Sequence, residues 1–218
     1  MRNLLAVALV IFPSASAAQS ADVILDRAVT AYSRMESMRA EFKQTLTNPL
    51  TGSTATVAGT ILRRKPNLLS VSFDNGDRIV SDGRYLWLYV PSTAPGQVVR
   101  SDGAGPASST FDPAGDVLVS PRQRYSVASG GTETIGGRSV HVLALTPKIA
   151  SVQFRKVKLW IDDADASVRQ LEAIDGNGLT RLIVVTRLSS NPALSRSLFK
   201  FTPPPGVRIL DQRLQAIY

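Results

Sequence analysis

The stretch Lys65 to Tyr89, KPNLLSVSFDNGDRIVSDGRYLWLY, constrains the fold more than any other part of the chain. Lys65-Pro66 ends one extended segment, because proline has no N–H to give to a ladder. Leu69, Val71 and Phe73 then alternate with Leu68, Ser70 and Ser72, which sets a wholly apolar face against a mixed one. Asn75-Gly76 and Asp82-Gly83 are tight-turn signals, with extended segments at Arg78 to Ser81 and Tyr85 to Val90. The segment is an antiparallel meander that carries large apolar groups on adjacent strands. A surface of that kind has to be covered by a core, a partner or an apolar ligand.

Which face of the meander turns inward follows from the alternation. Leu69, Val71 and Phe73 form the cleaner apolar face and are taken as inward. On the last strand Trp87 and Tyr89 are taken as the inward pair in preference to Leu86 and Leu88, although a shift of one residue would exchange the two.

Ahead of the meander, Asp22 to Arg39 has a helical period. Leu25, Val29, Tyr32, Met35 and Met38 recur every three or four residues, and Ser20 or Asp22 can serve as N-cap. This stripe is expected to pack on a sheet or to close over a cavity, where the two methionines would give adaptable contacts. From Ala40 the period becomes two, through Phe42, Gln44 and Leu46, and again through Val57, Gly59 and Ile61. Glycine and proline make Ser101 to Pro121 loop-rich. Within it, Asp112 to Val119 is expected to hold a short helix capped by Asp112, with Pro113 in its first turn, as part of a flap. Five later strand-like segments, punctuated by Gly-Gly, Asp-Asp and Asn-Gly pairs, argue for an antiparallel sheet that is bent or partly closed. No composition shift divides the chain, so residues 19–218 are expected to form one domain.

Several chemistries are excluded by residue counts. The 218 residues include no cysteine and one histidine, His141, so disulfides, thiolate sites and multi-histidine metal sites are ruled out. Phosphate loops, dinucleotide fingerprints and nucleophile elbows are absent. The net charge of +8 is scattered, without the clustered arm of a nucleic-acid-binding protein. Met1 to Ala18 has Arg2, an apolar run from Leu4 to Phe12 and small residues before Ala18, the pattern of a cleaved export signal. No cysteine follows that could take a lipid anchor.

Taken together, particular motifs resemble one family. They are Phe42-x-Gln44, Gly59, Lys65-Pro66-Asn67-Leu68, the block Val80-Ser81-Asp82-Gly83-x-x-Leu86-Trp87-x-Tyr89, Leu145-Thr146-Pro147-Lys148, and the ending Phe199-x-Phe201-Thr202-Pro203-Pro204-x-Gly206-Val207 with Asp211-Gln212. In this order they resemble the LolA family, periplasmic carriers of outer-membrane lipoproteins. The resemblance implies a mainly β (α+β) fold, an open, half-closed antiparallel β-barrel with a helical lid. It implies a monomer, without cofactor or reaction. Such a carrier takes lipoproteins from an inner-membrane ABC transporter, holds their acyl chains in an apolar trough, and passes them to an outer-membrane receptor. Leu69, Val71, Phe73, Trp87 and Tyr89 are then the expected acyl-chain contacts, and Leu25, Val29, Tyr32, Met35 and Met38 the lid. In that family an arginine before the strand-ending proline latches the lid. Here the position is Lys65, which lacks the planar guanidinium fork, so the latch is expected to be weaker or differently built. A carrier or sensor for another lipid on the same fold stays open at this point, as does, remotely, an exported hydrolase using His141.

Overall fold

The computed structural model describes residues 20–102, 112–149 and 153–212. The expected export signal at residues 1–18 lies outside them, as does most of the loop-rich stretch before Asp112. Among the described residues twelve strands make one sheet. They are β1 (Ser37–Thr47), β2 (Thr54–Arg64), β3 (Leu68–Phe73), β4 (Arg78–Asp82), β5 (Tyr85–Tyr89), β6 (Gln97–Asp102), β7 (Tyr125–Ile135), β8 (Arg138–Pro147), β9 (Phe154–Asp162), β10 (Val168–Asp175), β11 (Thr180–Ser190) and β12 (Arg208–Gln212). Their order is β12-β6-β5-β4-β3-β2-β1-β11-β10-β9-β8-β7, so among the described residues β12 and β7 are the edges and the sheet is not closed. Every neighbouring pair is antiparallel except β12 on β6, which is parallel. The protein is mainly β, and an open half-barrel describes it. The last strand, Arg208–Gln212, comes from the C-terminal stretch beyond the Pro203-Pro204-Pro205-Gly206 turn.

Local chemistry explains the meander. The Asp74-to-Asp77 and Asp82-to-Arg84 turns carry Gly76 and Gly83 at φ of +92° and +96°, which only glycine adopts freely. The Asp82 carboxylate accepts from the N–H groups of Arg84 and Tyr85 at 2.8 Å and from the Trp87 indole at 2.9 Å. Burial opposes its charge, but these donors prevail and hold its pKa below the usual carboxylate value. At mid-sheet, Gly59 pairs with Phe42. A Cβ there would lie 2.6 Å from the Ser72 carbonyl and 2.9 Å from the Phe42 ring, so the phenyl lies where a side chain would stand.

The helix α1 (Ala21–Ser33) is shorter than the 22–39 period suggests. Ser20 caps it, its side chain accepting from Val23 N–H at 3.3 Å. Met35 lies beyond its end and Met38 belongs to β1, so these two are not lid-helix residues. The cause is tertiary. Asn191 Oδ1 accepts from the N–H groups of Glu36 and Ser37, and Ser37 opens the pairing of β1 with β2. A short helix, α2 (Pro113–Leu118), follows Asp112, whose carboxylate accepts from Gly115 N–H at 3.1 Å as the proline and cap imply. A four-residue helix, α3 (Pro121–Arg124), leads into β7.

The inner face of the sheet is filled unequally. Ile24, Leu25 and Ala28 of α1 and Val117 and Leu118 of α2 pack with Leu143, Leu145, Val157, Leu159, Ile161 and Leu171 of β8–β10. This half is solid. Against β1–β5 there is a second cluster, Met35, Met38, Ala40, Phe42, Ile61, Leu69, Val71, Ile79 and Leu86, and among the described residues no helix fills the space above it.

Candidate functional site

The unfilled half holds a cavity of about 830 Å³. Its walls are side chains of β1, β2, β3, β4, β5, β11 and β10 (Val168 and Leu171), with Ala28 and Tyr32 of α1 and Ala114 and Leu118 of α2 at the side. Along β1 the inward residues pass from buried Met38, Ala40 and Phe42 to half-buried Gln44 and Leu46, and across from Leu46 stands exposed Ala55. The hollow therefore opens toward the β1–β2 hairpin and is closed near the end of α1.

The structure puts the expected site residues in different places. Val71 and Phe73 line the cavity, and Leu69 packs on the same face in the cluster beneath the end of α1. Trp87 and Tyr89 are on the opposite, outer face. There they pack with Val80, Val98, Phe201 and Val207, with Phe201 ring centroids 5.6 and 5.9 Å away. The inward residues of β5 are Leu86 and Leu88 instead, with Leu88 in the cavity wall. Leu25 and Val29 lie in or against the solid core, not over the cavity. Tyr32, Met35 and Met38 line the cavity at its closed end. Sequence reasoning missed Ile61, Ile79, Ile183 and Val185, which continue the same wall. Ile61, beside Thr60, and Ile79, beside Arg78, sit in partly alternating stretches that carried some of that signal, whereas Leu182-Ile183-Val184-Val185 is apolar throughout and its alternation marks no face. His141 is hydrogen-bonded to Asp163 at 3.0 Å and is not part of the wall.

Two cations from β2 and the following turn grip the closed end. Lys65 Nζ donates to the Ser33 carbonyl at 2.6 Å and to Glu36 Oε1 at 2.9 Å. Arg63, inward-facing two residues earlier, sits 4.1 Å from the centre of the Tyr32 ring and donates to the carbonyls of Tyr32 (3.5 Å) and Met35 (3.3 Å). A helix leaves its last carbonyls without partners and carries negative potential there, so both cations satisfy the end of α1. Arg64, between them, points to the other face and reaches the Leu194 carbonyl. The Tyr32 hydroxyl in turn donates to Asp112, tying α1 to the cap of α2. Burial, with the Asp112 charge beside it, pushes the Tyr32 hydroxyl well above the usual phenol range, so it stays protonated as the donor. Gly115 makes this approach possible, because a Cβ there would lie 2.6 Å from Asp112 Oδ2 and closer still to the Tyr32 hydroxyl.

An apolar hollow on one half of an open sheet, bordered by two short helices, is the expected architecture of the family the motifs resemble. The family model described as "Outer membrane lipoprotein carrier protein LolA" matches residues 33–202. The chain belongs to the LolA family. Among its relatives, the outer-membrane lipoprotein carrier protein of Serratia proteamaculans is 28% identical over 200 residues, spanning 89% of this chain and 92% of that protein. The protein of the same name from Pectobacterium carotovorum subsp. carotovorum is 27% identical over 218 residues, spanning 98% of this chain and 100% of that one. A crystal structure of an uncharacterized conserved protein from Thermus thermophilus has the same fold, with a TM-score of 0.57 at 15% identity over 89% of this chain and 100% of that chain.

Proposed function

We propose that this LolA-family chain is a periplasmic lipoprotein carrier whose β1–β5 hollow receives acyl chains. The observation that supports this reading most is the cavity of about 830 Å³, walled by aliphatic and aromatic side chains, in a sheet of this family. Acyl chains need a wide apolar trough with few directional groups, since their burial is worth about 0.8 kcal/mol per CH₂. In the proposed cycle, residues 1–18 direct export and are removed, and the rest acts as a monomeric single domain. Cargo arrives from an inner-membrane ABC transporter and leaves to an outer-membrane receptor. The end of α1 and α2 yield as cargo enters, with Lys65 and Arg63 as the latch. Lid contacts are exchanged for cargo contacts, which keeps the net free energy small enough for hand-off. No reaction or cofactor is required by this cycle.

The test is a titration of the mature chain with a triacylated lipoprotein, followed by native mass spectrometry. Wild type should form a soluble 1:1 complex, and Val71→Glu, which puts a charge into the wall, should weaken it at least tenfold. No complex with any acylated cargo, from a correctly folded wild-type chain, overturns the proposal.

A further inference from the structure

Among the described residues, four charged ones line the cavity: Asp74, Asp77, Asp112 and Arg181. The two buried carboxylates are already engaged. Asp77 accepts from Ser92 and Asn75, and Asp112 from Tyr32 and Gly115. Asp74 is exposed on the β3–β4 hairpin. Arg181 is different. It is the one cation of the wall, half-buried, and it takes no hydrogen bond or ion pair among the described residues.

Its place follows from the register. On β11 it is followed inward by Ile183 and Val185, and it stands between Ala173 of β10 and Leu46 of β1, with Ala55 of β2 beyond. The guanidinium therefore rises from an apolar row at the open end of the hollow. Burial lowers its pKa from the ordinary guanidinium value, with Asp175 only partly offsetting this, and it remains charged at neutral pH. Ala55 and Arg63 are eight residues apart on β2, so about 26 Å separates this row from the closed end. A partly desolvated guanidinium is a planar, bidentate receptor for carboxylate or phosphate oxygens.

We infer that Arg181 is an anion subsite at the mouth of the trough, and that it gives the cavity a preference for amphiphiles with a carboxylate or phosphate head over neutral ones. The alkyl chain runs toward Ile61 and Met35, and the head stays at the open end. Such ligands are a class beyond acylated lipoproteins, and their binding does not depend on the carrier cycle.

The test displaces an environment-sensitive fluorescent probe from the mature chain. The competitors are a long-chain fatty acid, the alkyl phosphate and the alcohol of equal chain length, and inorganic phosphate. The two alkyl anions should bind about tenfold or more tightly than the alcohol, a difference that narrows as salt is raised. Arg181→Gln should abolish the difference while alcohol binding, which also reports an intact trough, is kept. Arg181→Lys should retain part of it. Equal binding of anion and alcohol by wild type, or a difference that survives in Arg181→Gln, overturns the inference. Displacement by inorganic phosphate alone at the same concentration overturns the amphiphile assignment. Because the probes are simple amphiphiles, any of these failures leaves lipoprotein binding to be judged by its own titration.

Discussion

At the scale of single residues, the closure of the hollow rests on Arg63 more than on Lys65. Glu36 is largely in water and its partner Lys65 is over a third exposed, with side-chain exposures of 75% and 36%. An ion pair so placed is worth about 0–1 kcal/mol. Arg63 is inward-facing, stacks on Tyr32 and donates to the carbonyls of Tyr32, in the last turn of α1, and of Met35, just beyond it. Arg63→Leu keeps most of the bulk but leaves both carbonyls without that donor. It should cost about 1–2 kcal/mol and raise amide exchange around Arg34 to Ser37 by an order of magnitude. Lys65→Leu should change both by much less. Denaturant titration with hydrogen exchange checks this, and equal effects of the two substitutions would put the latch at Lys65. Tyr32→Phe, which removes the donor to Asp112, should loosen α2 without changing the exchange of β8–β10.

At the scale of elements, legibility followed the range of the forces involved. The meander and α2 were readable because their determinants are local: Asn75-Gly76 and Asp82-Gly83 at the turns, Asp112-Pro113 at a helix start. The end of α1 was not, because nothing between Ser33 and Met38 breaks a helix. Asn191, Arg63 and Lys65, distant in sequence, end it there. The face of β5 was hidden for another reason. Leu86-Trp87-Leu88-Tyr89 is covered on both sides, by the cavity cluster inside and by Phe201 and Val207 outside, so its sequence is apolar throughout and alternation gives no face. The Phe199-x-Phe201 motif was the available clue, since an aromatic closing segment needs a partner. The two faces predict opposite phenotypes. Trp87→Ala should destabilise by about 3 kcal/mol or more with lipoprotein binding retained in the folded fraction. Leu88→Glu, at a half-buried wall position, should spare much of the stability and weaken binding. Denaturation and cargo titration on both variants decide it, and loss of binding in folded Trp87→Ala would return the tryptophan to the trough.

At the scale of the whole molecule, one half of the sheet supports a hollow in the other. The helices sit on β8–β10, and that half is locked at its edge by charge. Asp162, 2% exposed at the end of β9, accepts from Arg138 of β8 and Arg169 of β10, and both arginines also reach Asp165. The Arg138 hydrogen bond, against the penalty of burial and with Ala164 N–H and Arg169 adding to it, holds the Asp162 pKa far below the usual carboxylate range. A carboxyl whose pKa is lower in the folded than in the unfolded chain stabilises the fold above its unfolded value, about 3.9, and loses that contribution as pH falls toward the folded value. Asp82, also lowered, acts in the same sense but secures only the β4–β5 turn. Wild-type stability should therefore fall steeply below about pH 4. Asp162→Asn should cost about 2 kcal/mol at pH 7, less than a fully buried pair because both arginines keep Asp165 and partial contact with water. It should also flatten the acid limb, since the group that titrates has been removed. Thermal unfolding of both proteins from pH 2 to pH 7 measures this. If the two acid limbs run parallel, Asp162 is not the group that titrates. If they converge as pH falls, the helices that border the trough rest on a platform held by one buried carboxylate.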